Sequence, residues 1–489
     1  MTKTNSKKAL LSSAFALVLS VAMLIGTTFA WFTDTASTGV NKIVSGNLKV
    51  DIIGADSDSH IEKLNFTKAA TTDAEAGAEI LWEPGCRYLT EGFRIANKGN
   101  LALKWKAQVN TGTTAANEGN FDLLDVIDFY LVTKAADGTE TETALDEFTG
   151  NLKKTETSDV YYIKGVMQTT AGNDYQGLTL DGITITVVAT QDTVENDSFN
   201  NQYDKDAEYP ILVTTGDELQ AIVSNATAPV NIVLANSITT NNFVIPADKD
   251  VTLDLNGRTV TNAGSHTILN KGHLTLTDSS TDKSGQIISL KGNTAALRNG
   301  DNAVCVVEGG TISRDGANGN TWHVVENFGK MTFNGGKVVL KNGNGFAITN
   351  GWNYFDPGAS TTHAVMEINA LELDTDSSGI KNCRYGDLIV NDVTVTSTGY
   401  WALSNDYLGT AVINGGTLTS NSFKAVSNGA AMTVNGGTFD GTEGLFVQSY
   451  ATSTVLNGGT FTNMNVDALS SYVGTGHTAQ QSGTSVIIK

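Results

Sequence analysis

The chain has 489 residues, about three times the ~150 residues of an average domain, so it holds more than one domain or one long repetitive one. Its 50 Gly against 5 Pro exclude collagen, 40% hydrophobic residues exclude global disorder, and a formal charge of −20 excludes a basic nucleic-acid binder as the default. Three cysteines, at positions 86, 305 and 383, cannot build a disulfide framework.

Lys3, Lys7 and Lys8 precede an apolar run from Ala9 to Ile25, and Thr28-Phe29-Ala30 places small residues three and one positions before a cleavage point between Ala30 and Trp31. This reads as a secretory signal peptide over residues 1–30, which implies a signal peptidase as a partner and an extracellular address. The competing reading, an uncleaved anchor of seventeen residues, sits at the short limit for crossing a bilayer. Removing residues 1–30 takes away three Lys and no acid, and so moves the formal charge from −20 to −23.

Composition shifts near Pro210. Asp+Glu outnumber Lys+Arg by 29 to 14 over residues 31–210 and by 22 to 14 over residues 211–489, while glycine rises from 16 in the first 210 residues to 34 in the rest. The polar stretch from Asp192 to Glu208 reads as a connector. Before it, runs at 48–53, 93–99, 102–109, 128–132, 159–166 and 183–191 alternate apolar with polar residues between Gly, Asn and Asp turns. That pattern predicts antiparallel strands closing into a β-sandwich over residues 31–208.

The segments IGTTFAWFTDTAST (25–38), NKIVSGNLKVDI (41–52), EPGCRYLTEGFRIANKGNLALKWKAQV (83–109) and VVATQDTVENDSFNNQYDKDA (187–207) resemble the TasA/camelysin family of secreted biofilm-matrix proteins. The resemblance covers roughly residues 1–207 and implies a jelly-roll-like sandwich and assembly into extracellular fibres of identical subunits. In such fibres the N-terminal strand of one subunit completes the sheet of the next, here Trp31 to Val40; pairing of that strand within its own sheet is the alternative. Some members of the family have been described as metallopeptidases. The six His, at 60, 266, 273, 323, 363 and 477, form no HExxH, so that activity is not expected here.

The second half is a repeat. GGT stands at 309–311, 415–417, 436–438 and 458–460, with GGK at 335–337. The residues before these pairs and their equivalents are Glu308, Asn334, Asn369, Asn391, Asn414, Asn435 and Asn457, with steps of 26, 35, 22, 23, 21 and 22. One position earlier and four positions later every residue is apolar. A second polar series, Asn270, Asn299, Asn327, Asn350, Asn382, Asn405, Asn428 and Ser449, follows apolar residues two positions before it. Three apolar columns per step of about 22 predict three strands per coil of a solenoid.

This pattern resembles the right-handed parallel β-helix of pectate-lyase-like enzymes and bacterial adhesins. The expected fold class is therefore all-β, a sandwich followed by a right-handed parallel β-helix over residues 209–489. A helix near 217–225, with Leu219, Ile222 and Val223 on one face, is expected to cap its N-terminal end. The asparagines are expected to stack as a structural ladder at a corner, where Asn tolerates left-handed backbone, and Gly-Gly to supply positive φ at the other.

Catalysis on this fold needs clustered acids, and residues 211–489 contain no Asp-Asp pair; DTDSSG at 374–379 starts like a calcium loop but has Tyr385 where a Glu is required, and reads as a solvated turn. No catalytic, cofactor or metal residues are assigned, and an enzyme is not expected. The acid excess of the first half points to calcium or to solubility. Phe328, Trp352, Tyr385, Tyr407 and Tyr450 follow their corner residues closely and should form one edge of the solenoid, with Tyr354 in an insertion at 351–362. Trp352, Tyr354, Tyr385, Tyr407 and Tyr450 are the candidate glycan-binding residues, since aromatic faces stack on sugar rings; covering strand corners is their plainer role. Trp322, Tyr400 and Trp401 lie before the corners, where partial burial is expected. The expected function is a structural or adhesive protein of the bacterial matrix or cell surface, assembling with copies of itself and binding glycan or matrix components. A polysaccharide lyase or glycosidase is the alternative.

Overall fold

A computed structural model describes residues 47–489 apart from 62–63, 68–79, 81, 111–112, 115–120, 146–147, 182–183, 193–207, 318–321 and 353–361. The expected cleavage point at Ala30 and Trp31, the candidate donor strand 31–40 and Tyr354 lie outside the described residues.

The N-terminal part is antiparallel. One seven-stranded sheet contains Val50–Gly54, Phe93–Asn97, Ile127–Lys134 and Tyr161–Met167, and a three-stranded sheet contains Phe148–Leu152, Leu103–Asn110 and Thr184–Gln191. Alternation decides which face is buried: Leu103, Trp105 and Ala107 of one sheet meet Phe93, Ile95 and Ile163 of the other in one core cluster, while Lys104 and Lys106 between them stay partly exposed. Trp105 lies across Gly150 of the neighbouring strand, where a Cβ would come within 2.7 Å of the indole. Beside this core a cleft of about 1130 Å³ is lined by apolar side chains that include Ile52, Phe66, Trp82, Phe129 and Ile185.

From Ile211 the chain forms a parallel β-solenoid of about 10 turns. Its strands stack into three sheets of eleven, twelve and nine strands. The first runs from Ile211–Val213 to Ser453–Leu456, the second from Ile238–Thr240 to Gly459–Phe461 and two further antiparallel strands, and the third from Val244–Ile245 to Leu445–Val447. The apolar columns point inward in register, as with Cys305, Met331, Met366 and Leu388. They fuse into one continuous core running the length of the coils. Cys305 is part of it, and burial pushes its thiol up to about 12.

The Gly-Gly corner between the first and second sheets needs each glycine for a different reason. The second, at 310, 336, 416, 437 and 459, has φ between 87° and 111°, a region that penalises a Cβ. The first approaches the coil below: a Cβ at Gly335, Gly436 or Gly458 would sit 2.7, 2.6 or 2.2 Å from the preceding coil's carbonyl oxygen.

Two amide ladders run along the solenoid with opposite polarity. The buried one ends the strands of the third sheet: Asn270 donates to Asn299, Asn299 to Asn327, Asn327 to Asn350, Asn350 to Asn382, Asn382 to Asn405 and Asn405 to Asn428, at 2.7–2.9 Å. Each side-chain N–H2 also serves a backbone carbonyl of the next coil, such as Val304 for Asn270 and Asp387 for Asn350. These asparagines are the last residues of strands and none has positive φ, so the expected left-handed corner is corrected: hydrogen bonding to the next coil selects Asn here. Ser449 is also displaced, because Val447 stands opposite Asn428 and ends the ladder. The exposed ladder, at the Gly-Gly corner, starts on Glu308, which can only accept. Asn334 donates to Glu308, and Asn369, Asn391, Asn414, Asn435 and Asn457 each donate one coil back at 2.7–2.9 Å.

Both ends of the core are covered. The helix Gly216–Asn225 is started by Thr215, whose Oγ1 accepts from Glu218 N–H at 3.2 Å while the Glu218 carboxylate takes Thr214 N–H at 2.8 Å. Leu219 and Val223 close the core, with Ile222 packed against it. Gln220 accepts from Val244 N–H and donates to its carbonyl, replacing the strand that the edge of the third sheet lacks. At the other end Ser485–Ile488 reverses direction and pairs with Gly459–Phe461, placing Val486 and Ile488 on the core.

Candidate functional site

The candidate site lies on the third sheet. Between each inward apolar residue and its asparagine stands one outward residue, and register aligns Arg298, Glu326, Thr349 and Lys381, then Ser404, Ser427 and Phe446. Neighbouring strands lie about 4.8 Å apart, so these side chains form a narrow floor along the solenoid.

One wall is the predicted aromatic edge, and the structure divides it. Phe328 is buried, with Trp352 at 4.5 Å between ring centroids. Tyr385 is half-buried; Arg384 lies 4.7 Å from its ring centre and donates to its hydroxyl at 3.0 Å, and the His363 ring is 5.6 Å away. Its φ of 58° is strained for a bulky residue. Tyr407 and Tyr450 project, 45% and 55% exposed. Tyr450 leans over Gly429, where a Cβ would come within 2.8 Å of the ring.

The opposite wall was not expected. Trp322 and Tyr400, which the sequence places before the corners as partly buried, are 37% and 58% exposed. Tyr400 lies 5.4 Å from Phe423, Trp401 lies 4.7 Å from Phe423, and Trp401 stacks on Phe446 at 6.0 Å and 24°. The signal was in the sequence, as aromatics before the apolar-x-Asn triplet, but only the coil geometry shows that they and Tyr407 and Tyr450 flank the same floor.

Glu326 on this floor is almost fully buried; its carboxylate takes Arg298 Nη1–H at 2.8 Å and Trp322 Nε1–H at 3.0 Å. Burial pushes His266 and His323 below the usual imidazole range. The neutral form is needed at His266, whose Nδ1 accepts Ala295 N–H at 2.8 Å. His363 Nδ1 meets Asp387 at 2.8 Å, and Thr410 donates to the same carboxylate at 2.7 Å. Trp352 Nε1 and Arg384 Nε are enclosed without a hydrogen-bond partner among the described residues.

The segment 374–379 is corrected from a solvated turn to a built corner. Thr375, Ser377 and Ser378 are buried, Asp374 pairs with Lys341 at 2.8 Å, and Asp376 accepts from the N–H groups of Asn342 and Gly343. Among the described residues no group of three or more His, Cys, Asp or Glu is arranged to hold a metal ion, and no helix is long and apolar enough to cross a membrane. Cys383 is buried with its thiol pushed up to about 12, and Cys86 in its turn is half-buried, accepting Glu83 N–H at 3.3 Å.

The chain is thus a nearly all-β molecule with antiparallel sheets followed by a parallel β-solenoid, and comparison with models of known families, with curated proteins and with solved structures finds no match for it.

Proposed function

We propose that this is a secreted structural or adhesive protein of the bacterial matrix or cell surface, whose solenoid binds glycan along its third sheet. The observation that carries the reading is the pair of aromatic walls, with Tyr400, Tyr407 and Tyr450 each about half exposed on a single solenoid. Exposed rings in rows, with the half-buried Ser404 hydroxyl between them, suit the alternating apolar faces and polar rims of sugars. Binding of the mature chain to immobilised polysaccharides tests this. Tyr407→Ala and Tyr450→Ala should each weaken retention about tenfold, the equivalent of roughly 1.4 kcal/mol; unchanged retention removes the site.

For assembly, the TasA/camelysin resemblance and the cleft beside the sandwich core, lined by apolar and polar residues alike, support strand addition by Trp31 to Val40 of a neighbouring copy after signal peptidase cleavage at Ala30. Deleting residues 31–40 should abolish filaments in electron micrographs, and filaments of unaltered form would end that reading. A carbohydrate-active enzyme is the second reading, favoured by the His363–Asp387 pair beside Arg384 and Tyr385. Turnover of a polysaccharide lost in His363→Gln would establish it over the adhesive reading.

A further inference from the structure

We infer that the ligand of the third sheet is an uncharged polysaccharide, bound with its chain along the solenoid axis. The inference rests on the glycan-binding reading above and deepens it. Its basis is how the face disposes of its own charges. Four cations stand on or beside it, three held by an acid and a ring, and the fourth, Arg384, by the ring and hydroxyl of Tyr385. Arg298 pairs with Glu326 at 2.8 Å and lies over the Phe328 ring at 4.4 Å. Lys381 pairs with Asp406 at 3.1 Å and lies over Phe346 at 5.3 Å. Lys424 pairs with Glu443 at 2.9 Å and lies over Phe446 at 3.6 Å.

An anionic polymer gains affinity by meeting unpaired cations. Here it would have to displace an acid from Arg298, Lys381 and Lys424 and the Tyr385 hydroxyl from Arg384, against the field of a chain of charge −20. A cationic polymer meets the reverse problem at Glu326, Asp406 and Glu443, whose charges these cations already offset. What remains unengaged by charge is stacking surface and hydroxyl. Ser404 is half-buried on the floor between Lys381 and Phe446, with Ser427 buried next to it and taking a hydrogen bond from Gln448, while Tyr400 and Trp401 stand on one side and Tyr407 and Tyr450 on the other. The two walls run parallel to the strand stack, so a flat polymer is guided along the axis.

The test compares the full mature chain with neutral β-linked hexasaccharides, one of glucose and one of N-acetylglucosamine, and with a galacturonate hexasaccharide, by calorimetry at ~20 and ~500 mM NaCl. The expected result is binding of a neutral oligomer that changes less than about twofold between the two salts, and weaker binding of the uronate. Tighter binding of the uronate, lost steeply with salt, would overturn the inference while leaving the glycan reading intact. Binding of none of the three defeats both. A charge variant provides a second arm: Glu443→Gln, made at the more exposed member of the pair, releases the half-buried Lys424 and should create salt-sensitive uronate binding with neutral-glycan affinity kept. If Glu443→Gln, folded by circular dichroism, treats the three ligands as the parent does, internal pairing does not set the preference and the inference is wrong.

Discussion

The two halves of this protein solve the same problem, burying β-strands, in opposite ways. In the sandwich, partners come from far apart in sequence: Ile52 pairs with Ile95 and Leu89 with Lys164. The core is a short cluster around Trp105, and every contact is made once. In the solenoid, each strand pairs with the strand one coil away, as Val395 does with Leu418, and the same solution recurs coil after coil. A periodic core makes stability a sum of coil and neighbour terms, whereas a sandwich depends on a few long-range pairings. The comparison also explains the ends: the solenoid needs the helix Gly216–Asn225 and the strand Ser485–Ile488 to stop a pattern that would otherwise continue.

The sharpest way to break this contrast is to damage one core and watch the other. Phe439 and Phe461 stack at 4.8 Å in consecutive coils. Phe439→Ala should cost about 3–5 kcal/mol, with amide exchange rising first in the last coils and the sandwich unaffected. Loss of protection in both halves together would show a single cooperative unit.

The ladders give the next largest difference. Asn350→Ala removes the donors to Asn382, Ala364 and Asp387 inside the protein and should cost about 3 kcal/mol in denaturant melts. Asn391→Ala cuts the same kind of chain at the exposed Gly-Gly corner, where water replaces the lost bonds, and should cost less than about 1 kcal/mol. Equal costs would mean that burial does not distinguish the ladders.

Acid should act on the solenoid. His266 and His323 are held neutral by burial, so their folded pKa lies below the usual 6.5. The unfolded chain then binds protons first, and the stability these residues contribute is present above pH 6.5 and lost as pH falls through 6.5 to their folded values. His323→Gln should flatten that part of the melting-temperature profile; an unchanged profile assigns the acid loss elsewhere. A small effect is also expected in the sandwich. Trp105 Nε1 is buried without a hydrogen-bond partner among the described residues, so Trp105→Phe should lie within about 1.5 kcal/mol of the parent, with volume lost but an unpaired donor removed.

Much of the solenoid was legible because its period writes itself into one dimension. Apolar columns at Val307, Phe333 and Ile413, and the Gly-Gly pairs after them, mark strand and corner directly, since each coil repeats the environment of the last. The final coil escaped this logic: with Val447 in place of Asn, the alignment slid to Ser449. In the sandwich the strands at 93–97 and 103–110 could be read from alternation, but Arg87–Thr90, Glu140–Ala144 and Phe148–Leu152 could not. Polar edge strands such as Glu140–Ala144 carry no buried face to alternate against.

The candidate site was half legible for the same reason. Trp352, Tyr385, Tyr407 and Tyr450 share a corner, and distance from an asparagine found them. Their depth was not readable: Tyr385 and Tyr450 each stand three positions after the ladder register, at Asn382 and Val447, yet one is half-buried and the other 55% exposed, because Arg384 and His363 lie against the first ring while the second leans out over Gly429.

Sequence alone therefore determined the all-β class, the coil period, the corners, the ladder residues up to Asn428 and the helix at the N-terminal end, all of which depend on neighbours at fixed spacing. Tertiary structure decided the polarity of the two ladders, the closing of the C-terminal end, and the union of two aromatic walls with cations held inside the protein on one face. Those features depend on which side chains of different coils meet across a surface, and no local spacing encodes that.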